Sequence, residues 1–109
     1  VGLNMALIDP KHYSAQADFS FWFHGPKDTN LYLWMQEGEL VKAQMDMSGS
    51  TMIMDEDMIL FENKKSGDAV PVLNNQQIAL KVSSIVKQVE SDLPALVQFK
   101  EKVKEHVES

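Results

Sequence analysis

The chain has 109 residues, with 10 lysine or arginine residues against 16 acidic ones and a formal net charge of −6 at pH 7. An acidic surface repels phosphate backbones, so we expect no nucleic-acid partner, and it suits solubility or a basic partner. The sequence has no cysteine, which excludes disulfides, zinc–thiolate sites and iron–sulfur clusters. This composition is compatible with a reducing cytoplasm, where we expect the protein to be located.

The first ten residues, VGLNMALIDP, fit either a short strand or one helical turn. No basic residue precedes their apolar positions, which argues against an intact signal peptide. No apolar run in the chain approaches the roughly 18 residues of a membrane-spanning helix. We therefore expect no membrane span.

The segment DFSFWFH has aromatic residues at alternate positions, which is typical of a β-strand. Alternate side chains of a strand point to opposite faces. One face is therefore predicted to carry Phe19, Phe21 and Phe23, and the other Trp22 and His24. The polar segment GPKD then ends the strand.

A second strand is predicted over residues 31–35, where the sequence LYLWM is apolar on both faces. Glu37-Gly38 follows as a two-residue hairpin turn. It leads into a third strand over Glu39–Met47. Alternation along this strand predicts one face with Val41, Ala43, Met45 and Met47 and an opposite face with Leu40, Lys42, Gln44 and Asp46.

Five of the seven methionines follow one another in the segment MDMSGSTMIMDEDM. Its Ser-Gly pair predicts a hairpin turn that leads into a fourth strand over residues 51–54. The pair Met45 and Met47 and the pair Met52 and Met54 should therefore meet on one sheet face. Thioethers suit copper(I), but nothing in the sequence places a histidine beside them. Methionine also fills irregular gaps in cores. We interpret these residues as core and expect no metal site.

The acidic run Asp55-Glu56-Asp57 predicts a turn, because its contiguous acids lack the central glycine of a calcium-binding loop. Residues 58–62 are predicted as a fifth strand, with a short helix as the alternative. Residues 69–73 are predicted to be extended, because Pro71 disfavours helical geometry at the residue before it.

The last third of the sequence changes to a helical period. A first helix is predicted over about residues 75–90, with Asn74 or Asn75 as its N-cap. A second helix is predicted over about residues 93–107, with Pro94 in its first turn. Their apolar stripes consist of Ile78, Val82, Ile85 and Val89 in the first helix and Leu96, Phe99, Val103 and Val107 in the second.

These elements predict an α+β fold in a single domain over residues 1–109. An antiparallel meander of four to five strands, over about residues 18–62, is covered on one face by the two C-terminal helices. The opposite sheet face then keeps its aromatic side chains for packing or for recognition.

No motif in the sequence supports catalysis. Asp18, Ser20 and His24 lie on one strand face, but residues two apart are about 6–7 Å apart along a strand, too far for a nucleophile and its base. The glycines are isolated, so there is no phosphate-binding loop. We expect a protein that is not an enzyme and holds no cofactor.

The function we predict is a protein-interaction or self-associating module whose partner is another protein or a second copy in a homodimer. Its predicted binding residues are Trp22, Tyr32 and Trp34, with His24 at the margin. The alternative is a carrier of a small apolar ligand. That pocket would lie between sheet and helices and be lined by Phe19, Phe21, Phe23, Met45, Met47, Met52 and Met54.

Overall fold

The computed structural model describes residues 3–8, 18–72, 75–90 and 93–108. These residues contain nine strands and two helices. In chain order they are β1 (Leu3–Asn4), β2 (Ala6–Leu7), β3 (Phe21–Gly25), β4 (Thr29–Gln36), β5 (Glu39–Met47), β6 (Ser50–Met54), β7 (Ile59–Asn63), β8 (Ala69–Pro71), α1 (Gln76–Lys87), β9 (Val89–Glu90) and α2 (Pro94–Glu108).

Strands β2 to β8 form one antiparallel sheet in which each strand pairs with its neighbour in sequence. The predicted meander and the α+β class are therefore confirmed, but the sheet has seven strands where four to five were expected. The additional strands are the two short edges. At one of them Pro71 pairs with Leu60, and this backbone pairing makes a strand of the segment predicted only to be extended.

Two hairpin turns have the geometry that the sequence predicts. Glu37 and Gly38 have φ values of 53° and 82°, the left-handed conformation that a tight two-residue hairpin requires. Gly49 has a φ of 88° in the turn between β5 and β6. A side chain in place of either glycine hydrogen would be strained by the backbone conformation itself.

The acidic run forms the turn between β6 and β7. A carboxylate oxygen of Asp55 accepts hydrogen bonds from the backbone N–H groups of Met58, at 2.9 Å, and Asp57, at 2.8 Å. These bonds hold the pKa of the Asp55 carboxyl below its usual range. The chain then continues as strand β7 from Ile59, and the alternative of a short helix is wrong.

The core lies between one face of the sheet and the two helices. Met45 is directly opposite Met52 in the sheet, so the predicted methionine face exists. Met45, Met52 and Met54 are at most 1% exposed. The helices contribute the buried side chains Val82, Val86, Leu96, Phe99 and Val103.

The alternation predicted along β5 is wrong at its start. Trp34 pairs with Lys42 while Met35 pairs with Leu40, so Val41 is an extra residue that forms a β-bulge. The bulge shifts Leu40 to the core face, where it is 1% exposed.

The α2 helix holds this hairpin through one amide side chain. The Oε1 atom of Gln98 accepts a hydrogen bond from the backbone N–H of Leu40 at 3.1 Å. Its Nε2 donates to the carbonyl oxygen of Gly38 at 3.0 Å. The amide therefore satisfies backbone groups beside the bulge.

Both helices begin as predicted. The Asn75 side chain caps α1 by accepting a hydrogen bond from the Ile78 N–H at 3.1 Å, and Pro94 is the first residue of α2. The first helix ends at Lys87, earlier than expected, because Val89 pairs with Leu3 in a separate parallel pair of strands, β1 and β9. Neither described helix is long and apolar enough to cross a membrane.

Candidate functional site

The sheet has a second face, turned away from the helices, that we call the outer face. Side chains directly opposite one another on neighbouring strands share a face, so the register of the sheet defines rows across it. One such row crosses five strands and is half-buried along its whole length. It consists of Trp22, Tyr32, Gln44, Ile53 and Leu60.

Four aromatic rings gather at one end of the outer face, and we call Phe19, Trp22, Tyr32 and Trp34 the aromatic group. Trp22 stacks on Tyr32, with ring centroids 5.9 Å apart and planes 20° apart. Phe19 contacts Tyr32 at 5.0 Å and Trp34 at 6.4 Å. The ammonium group of Lys42 lies 4.7 Å from the centre of the Trp34 ring, in cation–π distance.

A row of polar side chains runs beside the row that begins with Trp22 and Tyr32. At its start, Asn30 Oδ1 accepts a hydrogen bond from the indole N–H of Trp22 at 2.9 Å and lies 2.9 Å from His24 Nδ1. The structure thus brings Trp22, Tyr32 and Trp34 together, as predicted, and places His24 at their edge. The row consists of His24, Asn30, Asp46, Thr51 and Glu62.

Asp46 is the central acid of the polar row. Its Oδ1 accepts hydrogen bonds from Gln44 Nε2 at 3.1 Å and Thr51 Oγ1 at 3.2 Å. Burial, together with the negative charge of Asp46, raises the pKa of the Tyr32 hydroxyl above its usual value. Tyr32 therefore stays protonated and neutral throughout the physiological range.

Phe19 is misplaced by the sequence pattern, which puts it on the same face as Phe21 and Phe23. Strand β3 begins only at Phe21, so strand alternation does not constrain the residues before it. Phe21 contacts Phe23 on the core side, whereas Phe19 contacts the aromatic residues of the outer face. The outer face therefore gains a fourth aromatic ring.

The residues predicted to line an apolar pocket are divided between two environments. Phe23, Met45, Met52 and Met54 are at most 1% exposed and fill the core, and Phe21 and Met47 pack against that core with part of their surface exposed. Phe19 belongs to the aromatic group. Two surface cavities, of about 330 and 400 Å³, are lined by other residues. The binding of an apolar ligand by these seven side chains stays a prediction.

The sequence interpretation did not select Asn30, although it hydrogen-bonds to one predicted binding residue and contacts another. The feature of the sequence that could have identified Asn30 is the spacing in β4. Asn30, Tyr32 and Trp34 occupy alternate positions there and so share a face. Only the strand pairing shows that the asparagine amide lies beside Trp22 and His24.

The outer face combines apolar rings with hydrogen-bonding side chains, which suits recognition by contact. Within the described ranges, no three His, Asp or Glu side chains come together as a metal site. Comparisons of the chain with models of protein families, with curated proteins and with solved structures give no match.

Proposed function

We propose that this protein is a non-catalytic module that associates with a second copy of itself through the outer face. The observation that carries the proposal is the order of charges along β5. Lys42, Gln44 and Asp46 all point to the outer face, with the cation at one end and the anion at the other. When two such strands lie antiparallel to one another, the cation of each strand is opposite the anion of the other.

A two-fold axis describes this arrangement. If it lies between two facing sheets, across the strands and above Gln44, each β5 runs antiparallel to the β5 of the second copy. Lys42 of one copy then faces Asp46 of the other, twice in the dimer. Trp22 and Tyr32 lie in the row of Gln44, so each faces its own counterpart. Sheets packed face to face lie about 10 Å apart, a gap that such side chains can fill.

The energetics of this contact divide between the aromatic and charged side chains. Half-buried Trp and Tyr side chains gain most from further burial and are enriched among residues that dominate binding energy. The net charge of −6 opposes association at long range, but salt screens it beyond about 8 Å under physiological conditions. The pairing of Lys42 with Asp46 acts at short range and fixes the register.

The test replaces an apolar residue near the centre of the outer face. We expect Ile53→Lys to weaken self-association by at least about tenfold, because it buries a cation with no partner in the contact. The matched control is Leu80→Lys, since Leu80 is 64% exposed on α1 and lies away from the sheet face. Sedimentation equilibrium of both variants and of the wild type gives the association constants, and circular dichroism checks that both variants fold.

Two outcomes contradict the proposal. One is a wild-type protein that stays monomeric up to about 1 mM, the weak end of the affinity scale. The other is an equal loss of association in the two variants, which would place the contact elsewhere or make it unspecific. A monomer with an intact fold would leave the outer face to a different protein partner.

A further inference from the structure

The two helices form a concave site that is separate from the outer face. A cavity of about 330 Å³ lies between them, within the range of about 300–1,000 Å³ that small-molecule sites occupy. Each helix contributes residues with i, i+3, i+4 spacing, so each presents one continuous face to the cavity. These faces are Ser83, Val86 and Lys87 on α1 and Lys100, Val103, Lys104 and Val107 on α2.

The floor and the rim of this cavity differ in chemistry. Val86 and Val103 are 4% and 1% exposed and close the bottom of the cavity, while the more exposed Val107 contributes accessible apolar surface. The ammonium groups belong to the rim, because long lysine side chains cover apolar walls with their stems and keep the charge at the surface. The rim lysines are Lys87, Lys100 and Lys104.

The charge at this cavity is opposite to that of the whole chain. Among the described residues its lining carries three lysines and one acid, Glu101, so this part of the lining is formally positive by two charges. The whole chain has a net charge of −6. A cationic rim around an apolar floor complements a molecule with an anionic end and an apolar body.

We propose that this groove binds a fatty acid, with the acyl chain against Val107 and the apolar stems of the lysines and the carboxylate at the lysine ammonium groups. A membrane surface fits less well, because a helix that lies on a bilayer projects its apolar residues outward. Here Val86 and Val103 are buried instead. The proposal is independent of self-association, since none of the lining residues belongs to the sheet.

The binding experiment uses decanoate, and decanol as the neutral analogue with the same chain. Isothermal titration calorimetry should show decanoate binding at least about tenfold more tightly than decanol, as expected when charge-assisted contacts hold the carboxylate. In amide NMR spectra, the shifts should concentrate in residues 83–87 and 100–107. Equal affinity for the two ligands, or shifts confined to the sheet, would overturn the proposal.

Two variants with the same change in net charge locate the carboxylate. The double variant Lys87→Gln/Lys104→Gln should weaken decanoate binding by about tenfold or more. The control Lys64→Gln/Lys65→Gln removes two charges from the exposed loop between β7 and β8 and should leave the affinity unchanged. Equal losses in both would reduce the effect to net charge and overturn the site.

A third variant tests the apolar floor without changing any charge. Ser83→Leu places a larger side chain in the cavity and should weaken decanoate binding by a similar factor, while the circular-dichroism spectrum stays that of the wild type.

Phosphatidylglycerol vesicles distinguish binding of a free fatty acid from binding to a membrane surface. Vesicle binding that the lysine variant abolishes, with no binding of free decanoate, would contradict the proposal in favour of a membrane contact.

Discussion

Replacing Met45 by alanine should lower the free energy of unfolding by about 2–5 kcal/mol. Met45 is 0% exposed and lies opposite Met52 on the face that packs against the helices. Truncation there removes apolar contacts and leaves a cavity that a closely packed core refills only in part. Urea denaturation followed by circular dichroism measures the loss.

The matched control for this variant is Met45→Leu, which keeps the side-chain volume and should cost less than about 1.5 kcal/mol. A loss below about 1 kcal/mol for the alanine variant would mean that the methionine face is loosely packed, contrary to the described core.

A variant with leucine at positions 45, 47, 52 and 54 tests the expectation that these methionines pack the core and bind no metal. Tight copper(I) binding in a competition assay, lost in that variant, would contradict a packing role.

Replacing Trp34 by alanine should weaken self-association by more than about 2 kcal/mol, as for an aromatic residue that dominates the binding energy of a contact. The same change should cost the monomer only about 1–2 kcal/mol, the combined size of its ring contact with Phe19 and its cation–π contact with Lys42. Trp34 differs from the core aromatics because its ring is half-buried and Lys42 lies over it from the outer face. The two free energies come from sedimentation equilibrium and urea denaturation of the same variant.

The opposite result for Trp34→Ala is a large loss of stability without a loss of association. A stability loss of about 3–5 kcal/mol with an unchanged association constant is what a packed core aromatic gives on truncation. That outcome would make the aromatic group a second small core, and self-association through it would be contradicted. Tryptophan fluorescence supplies a further check, because contact between outer faces should shift the emission as the protein concentration rises.

Much of the fold follows from patterns that are local in sequence. Period-two alternation identified β3 and most of β5, and short apolar runs between turn signals identified β4, β6 and β7. The Glu37-Gly38 and Ser48-Gly49 pairs identified two hairpins, because tight turns need positive φ. The helical stripes identified α1 and α2, and Asn74 or Asn75 as N-cap indicated where α1 begins. These features depend on neighbouring residues and are therefore readable without the tertiary structure.

The sequence predictions differ from the structure where contacts between distant parts of the chain determine the conformation. The bulge at Val41 changes which residue of β5 enters the core, and it is visible only in the pairing with β4. The first residue of β3 determines on which side Phe19 lies, and alternation alone gives no start point. Strand β8 exists because β7 offers an unpaired edge. The same limit applies to the site, since Asn30 joins Trp22 and His24 only through strand pairing.

The most direct test of self-association through the outer face is an exchange of charges between two variants. Lys42→Asp and Asp46→Lys each place like charges opposite one another in the proposed dimer, so each variant alone should associate at least about tenfold more weakly than the wild type. An equimolar mixture should recover association as a heterodimer, because one chain then carries two anions and the other two cations at the facing positions. Sedimentation equilibrium of the variants, singly and mixed, measures this directly. A mixture that associates no more strongly than its components would contradict the proposed contact.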